Sequence, residues 1–464
     1  MEHTKKLEKR LIFEKKAFIR RQRKINNTYR ITWEKLGTGI YGYVKKAIHK
    51  KTKQERAIKF ISKKQIPSLE GYREALKSIR GLDHPNIVKL YEWYEDKNFV
   101  YFVTELCEGD PFLEKLSETK NFSEQLCAIY FKDILSVIYQ FHRRNLFHCD
   151  INPGNFMLEF SSAEEDDSLH EYDIKLIDFG LHKTHDFHQR AAMGGGGGGG
   201  KLRQQETVFG GGEEEEEGPE QEDMDESEED DEDSKMNKVN NAMFIAPEVI
   251  SGDCTLKGDM WSAGVMLFLL LSGTLPFSGT TEQEILAQVK TMVYNFDDEV
   301  WDSISADAKD LVKRLIAPKN ERFTVEEAIN HRWIKNLSQI SKKDLGDLHI
   351  KQLRNFAGSQ ALKKAMLEAI ATQLSSKEIG ALTDAFKKMD ENGDGKLSFA
   401  EFKEGLKSMK DEEEIKEIMD SIDTDKSGFV DYTEFIAATM NENIFLQKEK
   451  MWHTFTFFDK VKNT

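Results

Sequence analysis

No run of about eighteen apolar residues occurs in this 464-residue chain, so nothing in it reads as a membrane-spanning helix. The richest apolar stretch, Val265 to Leu271, suits a buried helix and is too short for more. Cysteine is scarce. Cys107, Cys127, Cys149 and Cys254 stand far apart, without the spacing of a disulfide framework or a zinc site. That usage suits a reducing compartment, so a cytoplasmic location is expected, with a nuclear one left open. A secretory core is missing too: the N-terminus is basic from Lys5 to Lys24. Between Glu213 and Asp233 there is no Lys or Arg at all against 16 Asp and Glu. The net charge of −16 is therefore local, because the remaining chain carries 66 acids and 66 bases.

What is present falls into five parts. A basic leader, expected to be flexible, covers residues 1–30. Ordinary αβ sequence runs over 31–335, interrupted at about 187–237 by glycine runs and the acidic tract. Such a tract cannot bury enough apolar surface to offset its ordering entropy and reads as disordered. Residues 346–375 have helical apolar spacing at Ile350, Leu353, Phe356, Leu362, Met366 and Ile370. From Ser375 a capping-box pattern with Glu378 opens a helix–loop–helix region over 376–464.

The first chemical motif is a G-x-G-x-x-G-x-V loop, with Leu36, Gly37, Gly39, Gly42 and Val44 at its defined positions. Glycines there let backbone amides approach phosphate oxygens. Alone the match is weak. It is followed in order by Ala57-Ile58-Lys59, by His148-Cys149-Asp150 with Asn155, by Asp178-Phe179-Gly180, by Ala246-Pro247-Glu248 and by Asp259 opening a helix. Six pieces in this order over about 220 residues are not accidental.

The second motif occurs twice. Asp390, Asn392, Asp394, Lys396, Ser398 and Glu401 occupy the ligand positions of a twelve-residue EF-hand loop, as do Asp423, Asp425, Ser427, Phe429, Asp431 and Glu434. Calcium takes six to eight hard oxygens, here side chains at positions 1, 3 and 5, a backbone carbonyl at 7, water at 9 and a bidentate Glu at 12. Gly395 and Gly428 hold position 6, where the loop turns sharply. Leu397 and Val430 suit the short strand pairing of twin loops. A third hand starts at Phe455 to Asp459 and is not completed before Thr464, so two calcium sites are expected.

The first set of motifs resembles the protein-kinase family over 31–335. The order of kinase, junction and hands resembles the calcium-dependent protein kinases of plants and protists. The resemblance implies an α+β fold, a bilobal kinase followed by an all-α EF-hand segment. It implies a Ser/Thr protein kinase using ATP, Mg2+ and Ca2+, acting on protein substrates and held inactive by 346–375 until calcium releases it. It assigns Asp150 to orient the substrate hydroxyl, Asn155 and Asp178 to magnesium, and Lys59 to the phosphates. It assigns Glu74 as the partner of Lys59, Thr104 as gatekeeper, and Glu105 and Cys107 as hinge backbone for adenine. A monomer is expected, with no nucleic-acid partner; peripheral membrane contact by the basic leader stays open.

Departures from the family pattern favour a second reading, a calcium-responsive pseudokinase or scaffold. Cys149 stands where an arginine usually clamps an activation-loop phosphate, Asn152 where a lysine contacts the γ-phosphate, and Asn241 where a threonine touches the catalytic Asp. Carboxylates that read basic substrates are replaced by Pro111 and Gly154. The acidic tract could restore that attraction by steering within a Debye length of about 8 Å.

Overall fold

A computed structural model describes residues 19–21, 24–39, 42–66, 68–79, 81–118, 122–160, 172–181, 241–337, 347–359, 361–409 and 411–441. The insert at 187–237 and the third-hand residues 455–464 lie outside them.

The first lobe is a six-stranded sheet built from β1 (Ile19–Arg21), β2 (Tyr29–Gly39), β3 (Gly42–His49), β4 (Glu55–Ser62), β5 (Leu90–Glu95) and β6 (Phe99–Thr104), in the order β1-β5-β6-β4-β3-β2. β4 lies between β3 and β6, with cover on both faces, and is buried along most of its length. Rich in Ile, Phe and Ala, it suits that place. Lys59 on β4 pairs in register with Val44 on β3 and Phe102 on β6. The leader is not wholly separate: β1 adds to the sheet by parallel pairing with β5, and Ile25 is buried. The boundary expected at residue 30 therefore falls inside the folded lobe. Helix α1 (Leu69–Ser78) is capped by Ser68, which accepts from the Gly71 amide at 3.3 Å, and buries Tyr72 and Leu76.

The second lobe is helical: α2 (Phe112–Glu118), α3 (Glu124–His142), α4 (Pro247–Ile250), α5 (Leu256–Ser272), α6 (Glu282–Thr291), α7 (Ala306–Leu315), α8 (Val325–Ile329) and α9 (Arg332–Leu337), with a hairpin of β7 (Phe156–Phe160) and β8 (Tyr172–Leu176). α5 is apolar all round and nearly every residue of it is buried, so it forms the spine of this lobe. It stops at Gly273, whose φ of 69° is a left-handed C-cap. Trp261 on this helix is fully buried, and the fully buried Trp301 packs on its Phe268 with ring centroids 4.7 Å apart.

The calcium segment comprises α10 (Asp347–Ala357), α11 (Ala361–Ala371), α12 (Ser376–Met389), β9 (Lys396–Leu397), α13 (Phe399–Gly405), α14 (Glu412–Ile422), β10 (Val430–Asp431) and α15 (Tyr432–Thr439). Its core is separate from that of the kinase lobes. Leu353, Leu367, Ile370 and Leu374 of the junction share it with Phe386, Phe402, Ile422 and Phe435 of the hands. Neither the junction helices nor the hands bury their apolar faces alone.

Candidate active site and calcium loops

The β2–β3 hairpin carries Leu36, Gly37 and Gly39 on one arm and Gly42 and Val44 on the other, with Gly39 opposite Gly42. Gly42 needs to be glycine: its φ is 151°, and a Cβ there would stand 1.7 Å from the Phe60 carbonyl oxygen. Ala57 lies on β4 opposite Thr104. Thr104 donates its hydroxyl to the Glu105 carbonyl at 3.2 Å.

Lys59 Nζ donates to Asp178 Oδ2 at 2.7 Å. The expectation for Glu74 fails. Its carboxylate pairs with Lys77 at 2.5 Å and is largely exposed, because α1 turns Tyr72 and Leu76 inward and leaves Glu74 on the outer face. Arg73 on the same turn pairs with Glu95 instead.

The catalytic loop is held from three sides. Asn155 Nδ2 donates to Asp150 Oδ2 at 3.0 Å and to its carbonyl at 2.7 Å. Asn152 Nδ2 donates to Asp150 Oδ1 at 3.1 Å, and its own Oδ1 accepts from the Gly154 amide at 3.0 Å. Asn152 is thus buried and clamps the Asp150 carboxylate. From below, the fully buried Asp259 of α5 accepts the amides of His148 and Cys149, each at 2.8 Å, and contacts His142 Nε2 at 2.9 Å. The His148 ring reaches the Asp178 carbonyl at 2.9 Å, which ties the two loops together. Gly180, φ 60°, leaves no room for a Cβ beside the His148 carbonyl. Glu248 closes the segment through a paired contact with the buried Arg322 guanidinium, at 2.5 and 3.2 Å. The His148 ring and the Asp259 carboxylate hold backbone groups of both loops in place, contacts that motif spacing does not reveal.

Two expected hinge residues behave differently from one another. Cys107 is half-buried, and burial together with Glu159 pushes its thiol well up. The Glu105 side chain faces away from the sheet's hairpin, into a buried cluster. Its Oε1 accepts from Lys175 Nζ at 3.1 Å and from the Ser376 amide at 3.2 Å; its Oε2 accepts from the Lys89 amide at 3.2 Å. Burial works against its charge, yet Lys175 and Lys89 hold the carboxyl below its ordinary range. Ser376 is the first residue of α12, so Glu105 sits at the positive end of a calcium-lobe helix. Nearby, Lys387 of α12 is buried between Asp173 at 2.8 Å and Asp133 at 3.2 Å.

In the first calcium loop, Asp390 accepts the amides of Asp394 and Gly395 at 3.0 and 2.7 Å, and Glu401 accepts those of Glu391 and Ser398. Asn392 Oδ1 accepts from the Asp394 amide, and Asp394 from the Lys396 amide. Burial first, then Asp394, and also Glu401, push the Asp390 carboxyl up to about 8, crowding that a divalent cation relieves. In the second loop, Asp423 accepts from Ser427 and Gly428 at 2.9 and 2.8 Å, and Glu434 accepts from Thr424 and Asp431 at 2.9 and 3.2 Å. Oxygens of Asp423, Asp425 and Glu434 lie within 4.8 Å of one another. Both position-6 glycines have positive φ, 70° and 84°. Val430 pairs with Leu397 and Asp431 with Lys396. The donor sets are hard oxygens throughout and fit calcium; Asp178 and Asn155 likewise fit magnesium.

This fold and site define a protein kinase joined to a calcium-binding lobe. Residues 31–194 and 223–334 match the protein kinase domain, and residues 379–440 match the EF-hand domain pair. Calcium-dependent protein kinase 5 of Plasmodium falciparum is 33% identical over 442 residues, covering 94% of this chain and 69% of that protein. Calcium-dependent protein kinase 3 of Plasmodium berghei is 32% identical over 441 residues, covering 94% of this chain and 70% of that protein. The chain belongs to the calcium-dependent protein kinase family and is a Ser/Thr protein kinase. The kinase domain implies ATP and Mg2+, and the EF-hand pair implies calcium binding. Among the described residues no helix is long and apolar enough to cross a membrane.

Proposed function

We propose that calcium binding to the two hands gates transfer of the ATP γ-phosphate to Ser and Thr hydroxyls of protein substrates, with residues 346–375 as the segment that is captured or released. The observation that carries this reading is the shared core: α10 and α11 bury Leu353, Leu367 and Ile370 among the hands. Arg354 of α10 also pairs with Glu414 at 2.7 Å. The same lobe rests on the kinase through Ser376 at Glu105, Lys387 at Asp133 and Asp173, and the Ala371 carbonyl at Lys89. Calcium that stabilises the hands therefore stabilises a docked arrangement in which the junction is occupied elsewhere than over the catalytic loop. Helix capture by an opened EF-hand groove is the physical basis.

At the catalytic end, Asp150 accepts the proton of the attacking hydroxyl, Lys59 neutralises phosphate charge, and Asn155 and Asp178 hold magnesium, which shields charge on the transferred group. The hairpin glycines and Val44 enclose the phosphates, and Ala57 and the backbone of Glu105 and Cys107 line the adenine site. Asn152 supplies orientation of Asp150 where relatives supply a transition-state cation, so the chemical step should be slower by about 10²-fold than with lysine.

The test is phosphate incorporation into a basic protein substrate with and without calcium, beside an Asp178→Ala control. Deleting 346–464 should give calcium-independent activity; a truncated kinase that still needs calcium refutes gating in cis. The second reading, a calcium-responsive pseudokinase, draws on Asn152 and the outward Glu74 and is the result if wild type and Asp178→Ala incorporate phosphate equally.

A further inference from the structure

Cys149 and Cys254 are separated by 105 residues in sequence, yet their sulfurs stand 2.7 Å apart. We propose that these two residues form an oxidation site: a dithiol that a hydroperoxide converts to a disulfide tying the catalytic loop to the end of the activation segment.

The sulfurs need close only by about 0.65 Å to reach the ~2.05 Å of a disulfide bond. Both residues are half-buried, within reach of a small oxidant and screened from large ones. Each is carried on a held backbone. The Cys149 amide is fixed by Asp259 Oδ1 at 2.8 Å, with φ at 62°. Cys254 lies between α4 and α5; its neighbour Asp253 pairs with Lys319 at 2.6 Å, and Glu248 of α4 pairs with Arg322. The entropy of bringing two thiols together is therefore met by contacts that exist without the bond. The other two cysteines stand in contrast. Burial pushes the Cys107 thiol well up and the Cys127 thiol up to about 12.

The chemistry balances with hydrogen peroxide as oxidant. One thiolate attacks a peroxide oxygen, the O–O bond breaks, and the products are a sulfenic acid and hydroxide, which takes up a proton to become water. The second thiolate attacks the sulfenic sulfur, the S–S bond forms, the S–O bond breaks, and a second water leaves. Two thiols lose two electrons and the peroxide gains them. The closed ring spans 149 to 254 and contains the whole activation segment.

The experiment treats the full chain with hydrogen peroxide, blocks remaining thiols with N-ethylmaleimide, and maps peptides without reduction. The expected result is one linked pair containing Cys149 and Cys254, two blocked thiols in place of four, and full reversal by dithiothreitol. The melting temperature should rise by about 5 °C on oxidation, since closing a long loop constrains the unfolded chain. Cys254→Ser should show neither the linked peptide nor the shift. Wild type that keeps both cysteines blocked by maleimide after peroxide, or links either one elsewhere, overturns the proposal. The wild-type map decides even if the variant does not fold, and it needs no phosphotransfer, so it stands apart from the test of calcium gating.

Discussion

Loop 390–401 is pressed against the kinase, whereas loop 423–434 turns its tip away from it. Lys132 and Gln140 of α3, and Arg143 just past its end, donate to the Glu391 and Asp394 carbonyls of the first loop, and a Cβ on Gly393 would touch Ser136. In the second loop nothing lies within 4 Å of the Cβ position at Gly428, and Phe429 is exposed. The two loops match the same ligand pattern, so by pattern they are equivalent. Their surroundings separate them. The second meets the kinase behind its tip, where the Thr433 amide donates to Asp83 Oδ2 at 2.9 Å, and carries three clustered carboxylates and four in all; the first is a docking element through its tip that also has the ligands of a cation site. Linkage then requires that calcium in the first loop and docking on α3 strengthen each other by the same factor.

The largest effect should come from breaking the docked side at the hinge. Glu105→Gln leaves the buried Lys175 with Glu159 at 3.4 Å as its remaining ion-pair partner. Removing one member of a buried pair costs about 3–5 kcal/mol, read by denaturant unfolding. First-loop calcium affinity should fall with it and second-loop affinity should hold. The pH dependence has a definite sign. Glu105 is depressed in the folded chain, so its contribution is complete above the ordinary glutamate range and is lost as pH falls through the depressed value. Wild type should therefore shed stability in acid across that window, and Glu105→Gln should show a flatter profile there. Equal acid profiles would remove Glu105 from the coupling.

Next in size are the bidentate glutamates. Glu434→Gln should weaken its site by roughly 100-fold, the upper range for losses around a metal site. Glu401→Gln should weaken its own site less in calorimetry, because docking contacts on α3 help to hold that loop, but should shift the calcium midpoint of kinase activity more. If Glu434→Gln moves the activity midpoint and Glu401→Gln does not, the assignment of loop one to docking is reversed.

Much of this organisation was readable from the chain because chemistry constrains residue type and spacing together. Phosphate handling needs glycines, a strand lysine, and carboxylates on two loops in fixed order; a calcium loop needs oxygens on a twelve-residue frame. The kinase and EF-hand parts followed from that. Contacts made by side chains whose type is not dictated were not readable. Glu74 was one residue from the position the spacing indicated, and the helix face decided against it. Glu105 looked like hinge backbone, while its carboxylate serves the calcium lobe, because Ser376 approaches from 271 residues away. The pair Cys149 and Cys254 has no local signature either, since only the fold brings a catalytic-loop residue beside the loop before α5.

The smallest quantity is a difference between two variants, and it is also the sharpest comparison, since it alters the same position of both loops. Gly395 and Gly428 each hold position 6 with φ at 70° and 84°. Alanine at either must adopt a left-handed backbone at a cost of about 1–2 kcal/mol. In the second loop the Cβ meets open space, so that strain is the whole penalty. In the first loop the Cβ would stand 2.5 Å from His84 Cδ2 and 2.7 Å from Gln140 Nε2. His84 is buried and Gln140 is engaged with the Asp394 carbonyl, so neither yields without loosening the seat of the loop on α3. Gly395→Ala should therefore add a further ~1–3 kcal/mol of overpacking to the shared strain. That difference should appear as a lower melting temperature in calcium than Gly428→Ala gives, and as a calcium midpoint for kinase activity raised several-fold more. Both variants keep every ligand side chain, so unequal effects report the kinase surface under the first loop and not the cation site. Equal shifts in stability and midpoint would mean that loop one bears on α3 too lightly for its calcium to govern docking.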